Sequence, residues 1–179
     1  SGVTCFSDMY FFMEEVAKVS DESGIRASIS GILMDVDVSG SNYMKAAIDF
    51  YNSWHGKADG KIRVIFGPHS IYLCSPEFLK ETKEETKNRD SIIHIHLSES
   101  RKETEDSKKK FGKTPVQHLA DLGLLECQIA AAHCVHISEE DIGILAKNKV
   151  NVINNPTSNL KLGNGFSPIV QLLKENINV

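Results

Sequence analysis

The sequence predicts an α/β fold in which parallel strands alternate with helices in a sheet of the barrel type. Apolar runs alternate with segments of helical period, helix starts are marked by a hydroxyl residue before a proline, and polar residues gather where the strands should end. The chain has 179 residues, of which 41% are hydrophobic, so it can bury one sizeable core. We therefore expect one domain over residues 1–179.

Six apolar runs have the length and composition of strands. They are GVTCFSD (2–8), IRASISGILMD (25–35), IRVIFGPHS (62–70), SIIHIHLSE (91–99), CQIAAAHCVH (127–136) and VNVINNPTSN (150–159). Apolar residues recur at three and four positions in residues 9–23, 42–54 and 138–149, which predicts helices. Further helices should begin at Ser75-Pro76, Thr114-Pro115 and Ser167-Pro168, because the hydroxyl can cap the helix and proline suits its first position.

Residues 99–113, ESRKETEDSKKKFGK, are charged, mixed in sign and poor in apolar side chains. This composition favours a solvated loop with a frayed helix, and a mobile lid over a pocket is the functional alternative.

The composition excludes several classes of function. With 20 basic and 24 acidic residues the net charge is −4, and there is no basic patch for nucleic acid or an anionic membrane. No apolar stretch reaches the roughly 20 residues that span a bilayer, and the N-terminal residues lack the features of a secretory signal. The four cysteines are widely spaced, which predicts reduced thiols and a cytoplasmic location. A small molecule is the expected partner.

Polar and ionisable residues cluster at the C-terminal ends of the predicted strands. They are Asp8, Asp35, His69, His96, Glu99, His133, His136, Asn154, Asn155, Thr157, Ser158 and Asn159. In a parallel α/β barrel the loops after the strands build the active site at one face, so we expect these side chains to converge there.

The spacing within SIIHIHLSES raises the question of a metal site. His94 and His96 share one face of a strand, and His133 ends the next strand about 4.8 Å away, so His96 and His133 could share one ion. His94 is predicted to be a hydrogen-bonded core residue. Glu99 could serve as a general acid/base beside the metal or be an exposed loop acid. His69 could bind metal or substrate or be an ordinary turn histidine.

Four motifs together resemble the amidohydrolase superfamily, and within it the deaminases and chlorohydrolases that act on adenosine-type nucleosides and triazine-like rings. The motifs are FGPHSIYLCSPE, HIHLSES, AAHCVHISEEDI and NNPTSNLKLGNGFSPI, in that order, and the similarity covers nearly all of the chain. Methylthioadenosine and S-adenosylhomocysteine deaminases are the most similar group.

The resemblance implies a (β/α)8 barrel with one divalent metal, zinc or alternatively iron, and a water attack on a ring carbon that releases ammonia. It implies that His96 and His133 ligate the metal and that Glu99 shuttles the proton. It also implies that His69, His136 and Asn159 lie against the substrate. This family pattern further includes a His-x-His pair on the first strand and an aspartate on the eighth, which have no counterpart here. The chain therefore looks like about six units of the barrel, from the second to the seventh strand.

This departure leaves two interpretations open. The chain is the central part of a metal-dependent deaminase, or it is a catalytically incompetent barrel fragment that acts only in binding or assembly. In both cases we expect negligible turnover from these residues alone and self-association through unpaired strand edges into a homo-oligomer. The segment SGILMDVDVSGSNYMK (30–45) has no arginine for a substrate carboxylate, with Lys45 as a partial substitute.

Overall fold

Parallel strands and helices alternate along the chain in the computed structural model, which describes residues 2–35 and 42–179. The strands are β1 (Cys5–Met9), β2 (Arg26–Ser30), β3 (Ile32–Leu33), β4 (Ile62–Val64), β5 (Gly67–Pro68), β6 (Ile93–Leu97), β7 (Ile129–His133) and β8 (Asn151–Ile153). The helices are α1 (Met13–Ser23), α2 (Tyr43–Trp54), the single turn α3 (Lys57–Gly60), α4 (Pro76–Asn88), α5 (Arg101–Phe111), α6 (Pro115–Asp121), α7 (Glu139–Lys147), α8 (Pro156–Lys161) and α9 (Ile169–Lys174). A 3₁₀ turn covers Leu124–Glu126.

All strand pairs in the described ranges are parallel. They run in the orders β1-β2-β4, β3-β5 and β6-β7-β8. Backbone hydrogen bonds from Phe66 N–H to the Ile92 carbonyl (3.0 Å) and from His94 N–H to the Phe66 carbonyl (2.9 Å) join the first strands to β6. The predicted parallel α/β architecture is confirmed at this level.

The second and third predicted strands are each interrupted, which the sequence did not indicate. The second predicted strand breaks at Gly31, between β2 and β3. The third breaks between β4 and β5. The two backbone segments approach each other closely there, since a Cβ on Gly67 would lie 2.3 Å from Ser30 Oγ and 3.0 Å from the Gly31 carbonyl oxygen. A side chain at residue 67 would therefore force the strands apart.

Two of the three predicted Ser/Thr-Pro helix starts are confirmed. Ser75 Oγ accepts the N–H of Phe78 at the start of α4, and Thr114 forms a reciprocal capping box with Gln117 at the start of α6. A helix also follows the third, Ser167-Pro168, but the predicted serine cap is wrong. Ser167 Oγ donates to the Cys134 carbonyl (3.0 Å) instead, so α9 begins after Pro168 without a side-chain cap.

The prediction of a loop with a frayed helix over residues 99–113 is also wrong. Residues Arg101–Phe111 form the regular helix α5, which Ser100 caps at its start and Gly112 ends in the left-handed conformation (φ 72°). Its buried residues are polar, Glu103 and Ser107, so the segment has no apolar stripe to reveal it.

The alternation along β6 separates the core from the candidate site. Ile93, Ile95 and Leu97 are fully buried in the main hydrophobic cluster with residues of α4, α6, β7 and α7. His94 and His96 lie on the opposite face, as their spacing predicts. In the described parts of the chain, no helix has the length and apolar character needed to cross a membrane.

Candidate active site

His96 stands at the end of β6 with one ring nitrogen already bonded. Its Nδ1 lies 3.0 Å from the His69 carbonyl oxygen. A carbonyl oxygen only accepts, so Nδ1 carries the proton and Nε2 keeps a free lone pair. A metal-binding histidine usually donates its other ring N–H to a backbone carbonyl, a carboxylate or water, which fixes the orientation of the ring.

His133 reaches the same place through an unusual backbone conformation. Strand alternation would direct it to the helix side with Ile129 and Ala131, but His133 and Cys134 have positive φ angles of 76° and 46°. The ring centres of His133 and His96 are consequently 5.3 Å apart. His133 Nδ1 donates to Asn159 Oδ1 (2.7 Å), so its Nε2 is also left with a free lone pair.

Glu99 lies beside His133 in the turn after β6. Its Oε2 is 3.8 Å from His133 Nε2, and its Oε1 accepts from Asn164 Nδ2 at 3.1 Å. Glu99 is partly buried rather than an exposed loop acid. Its carboxylate therefore faces the same nitrogen that is free to bind a metal.

Burial favours the neutral form of His69 and His96. The His69 and His96 ring centres are 4.6 Å apart, and burial, followed by the charges of His96 and His133, lowers the pKa of His69 to about 4. Burial is also the main cause of the lowered pKa of His96, with a further contribution from His133. Neutral imidazole is the form that ligates metals.

The donor set fits a divalent metal in its chemistry but supplies only part of a coordination sphere. His96 and His133 each offer a free Nε2 while Nδ1 is held by an oxygen, as expected of ligands for zinc. Among residues 2–35 and 42–179, no group of three or more His, Cys, Asp or Glu side chains is arranged to hold an ion. Catalytic zinc commonly has three protein ligands, so two is an incomplete set.

His94 has the core role that was predicted for it. It is 7% exposed, and its Nδ1 lies 3.3 Å from Ser7 Oγ of β1. Burial, followed by the charges of His96 and His133, lowers its pKa to about 4.

The other predicted strand-end residues are divided between the site and its surroundings. The His69 ring packs edge-on against Tyr72 (5.7 Å between ring centres), and its Nδ1 lies 3.0 Å from Ser70 Oγ. His136 is half-buried, and its backbone N–H donates to the Ser98 carbonyl (2.9 Å). Asp35 does not join the site, because it accepts the N–H of Ser75 (2.8 Å) before α4.

Lys45 is occupied elsewhere, since it forms an ion pair with Asp49 on the exposed side of α2. Lys45 belongs to the segment 30–45, which has no arginine for a substrate carboxylate. Residues 36–41 of this segment lie outside the described parts of the chain.

Two site residues were missed by sequence analysis. Asn164 bonds to Glu99, and the buried carboxylate of Glu103 accepts the backbone N–H groups of Ser98 (3.0 Å) and Glu99 (2.8 Å). The Ser100-x-x-Glu103 spacing is that of a capping box, and it could have revealed Glu103 as a helix-start residue.

The chain belongs to the amidohydrolase family, whose sequence model matches residues 1–179. This confirms the family predicted from the four motifs. The 5-methylthioadenosine/S-adenosylhomocysteine deaminase of Caldanaerobacter subterraneus subsp. tengcongensis is 51% identical over 181 residues, which cover 100% of this chain and 42% of that protein.

Solved structures show the same likeness. The adenosine deaminase of Xanthomonas campestris, solved with bound zinc, superposes with a TM-score of 0.91 at 28% identity over 98% of this chain and 40% of its own. The zinc complex of atrazine chlorohydrolase TrzN from Arthrobacter aurescens has a TM-score of 0.88 over 98% of this chain and 44% of its own, and its 21% identity shows a likeness of fold alone. The chain spans about two fifths of the length of these relatives.

Proposed function

We propose that this chain is the central part of the catalytic domain of a metal-dependent deaminase acting on an adenosine-type nucleoside. The observation that carries the proposal is the convergence of His96, His133 and Glu99 at the ends of β6 and β7, with both imidazoles oriented through Nδ1. The deaminase names of the relatives support the same chemistry. In the reaction, water replaces the amino group on a ring carbon and ammonia leaves.

In this proposal His96 and His133 are two ligands of one divalent metal, and zinc is favoured because neighbouring structures contain it. A zinc ion supplies Lewis-acid chemistry that lowers the pKa of water. Glu99 takes a proton from the attacking water and delivers it toward the departing amino group. Asn164 keeps the carboxylate turned toward the site.

His69, His136 and Asn159 are proposed to border the substrate. His69 lies in the loop after β5. Its ring is tilted relative to the His96 ring, and the two ring centres are 4.6 Å apart. Asn159 is 1% exposed, and its Nδ2 has no hydrogen-bond partner among the described residues, so a donor remains available beside His133. The architecture proposed around this site is a (β/α)8 barrel, of which this chain supplies about six units.

The proposal predicts that Glu99→Gln in the intact protein lowers kcat for ammonia release at least ~100-fold, because a general acid/base contributes roughly that much. The substrates to test are adenosine and 5-methylthioadenosine, with zinc content measured in parallel. KM and zinc content should stay within about twofold, because the carboxamide occupies the same space. Glu105→Gln, an exposed acid on α5, is the matched control and should leave kcat unchanged.

A Glu99→Gln protein with native kcat, or an intact protein that releases no ammonia from either nucleoside, would contradict the proposal. The same assay on the 179-residue chain alone should show negligible turnover, because two histidines are an incomplete ligand set. The interpretation of this chain as a binding or assembly module gains support if the intact protein is also inactive.

A further inference from the structure

The start of α5 departs from the capping geometry that its sequence predicts. Ser100 Oγ accepts the backbone N–H of Glu103 (3.1 Å), which is one half of a capping box. In the other half, the glutamate would accept the N–H of Ser100. Instead, Oε1 of Glu103 accepts the N–H of Ser98 (3.0 Å) and Oε2 accepts the N–H of Glu99 (2.8 Å). The carboxylate thus binds the turn that carries Glu99.

This turn has a second set of hydrogen bonds on its opposite side. Ser98 has a positive φ of 51°, which is uncommon for a residue with a side chain. Its carbonyl accepts the N–H groups of Val135 (3.1 Å) and His136 (2.9 Å), just beyond the end of β7. The Ser98–Glu99 backbone is therefore fixed between Glu103 and the segment that follows His133.

Burial makes Glu103 unlike an ordinary helix cap. The residue is 6% exposed, and no residue in ranges 2–35 and 42–179 forms a salt bridge with it. Burial is the main cause that raises its pKa to about 7, and the backbone N–H groups of Glu99 and Ser98 oppose that shift. A cap for α5 is already provided by Ser100. Burying an acid costs solvation free energy. The hydrogen bonds of Glu103 to the Ser98–Glu99 turn explain this burial better than helix capping does.

We propose that Glu103 is a positioning residue, which holds the backbone of Glu99 so that the Glu99 carboxylate faces His133. The inference rests on the proposed function of Glu99. Asn164 fixes the carboxylate end of Glu99 and Glu103 fixes its backbone end, so both ends of the proton shuttle are held. Glu103 acts through Glu99 and does not contact the reacting atoms.

A double-mutant cycle in the zinc-bound intact protein tests the proposal. Glu103→Gln should lower kcat about 10- to 100-fold, because small misplacements of a catalytic group have effects of that size. KM and zinc content should stay within about twofold. In the Glu99→Gln background, the same substitution should lower the residual kcat by less than about twofold, because its effect passes through Glu99. Glu105→Gln is again the control.

Several outcomes would overturn the proposal. Native kcat in Glu103→Gln rejects it, and so does an equal loss in both backgrounds, which indicates an independent effect. If Glu103→Gln does not fold, Glu103→Asp provides the test, because it keeps the charge but is too short to reach both N–H groups. A folded Glu103→Asp protein with native kcat also rejects the positioning role. Native kcat in Glu99→Gln alone rejects the proposed function of Glu99 instead.

Discussion

At the scale of single residues, the candidate metal site depends on the backbone of His133. The sequence predicted His133 as a ligand from its position at a strand end, but strand alternation alone would direct it to the helix side. The positive φ angles of His133 and Cys134 bring the ring to His96, and the bond to Asn159 holds it there. A positive φ outside glycine is rare and carries no sequence signal, so this part of the site could not be predicted.

Asn159 should therefore control metal affinity. Asn159→Ala in the intact protein removes the acceptor on His133 Nδ1, and we expect zinc to bind about 10- to 100-fold more weakly, as for other outer-shell partners of histidine ligands. Asn159→Asp keeps an acceptor and should retain affinity close to native. Zinc competition titration measures both.

The control for this experiment is Asn154→Ala, because Asn154 is exposed and lies just before α8, the helix that contains Asn159. Equal zinc affinity in Asn159→Ala and Asn154→Ala would show that the hydrogen bond to His133 does not orient a ligand.

At the scale of elements, local hydrogen-bond chemistry explains which helices were predictable. The Ser75-Pro76 and Thr114-Pro115 starts were recognised because both the cap and the proline are local signals. Ser167-Pro168 has the same pattern, but its hydroxyl bonds to Cys134, which is 33 residues away in the chain. A tertiary contact of that kind overrides a local signal and cannot be read from the sequence.

The starts of α6 and α7 are joined by one buried acid, Asp141. It is fully buried, and it accepts hydrogen bonds from Thr114 Oγ1 (2.5 Å) and from the backbone N–H and hydroxyl of Ser138 (both 2.9 Å). Asp141→Ala leaves these donors unpaired. We expect the free energy of unfolding to fall by about 2 to 4 kcal/mol, because each buried polar group left unpaired costs about 1 to 3 kcal/mol. Urea unfolding of the intact protein measures the change.

Glu140→Ala is the matched control, because Glu140 is an exposed acid in the same first turn of α7. A loss of stability no larger in Asp141→Ala than in Glu140→Ala would refute a structural role for the buried network.

At the scale of the whole molecule, the sequence predicted a parallel sheet with unpaired edges. Within the described ranges, β1 pairs with β2 alone. The outer edge of β8 takes one further backbone hydrogen bond, from Val152 N–H to the Asn178 carbonyl (2.9 Å). Alternation and strand-end polarity were sufficient to predict this architecture. The breaks beside Gly31 and Gly67 were not predictable, because they arise from contact between two distant segments.

The open edge of β1 leads to the last prediction, that the 179-residue chain self-associates when prepared alone. Unpaired strand edges recruit other chains, and large apolar side chains such as Phe12 (73% exposed) and Phe166 (77% exposed) add to this tendency. Light scattering at about 100 µM under reducing conditions should give a mass above 19.8 kDa. Cys5→Lys places a charge on the exposed edge and should reduce the mass, whereas Cys5→Ser should not. A single monomeric species for the unmodified chain would show that the β1 edge is closed in solution.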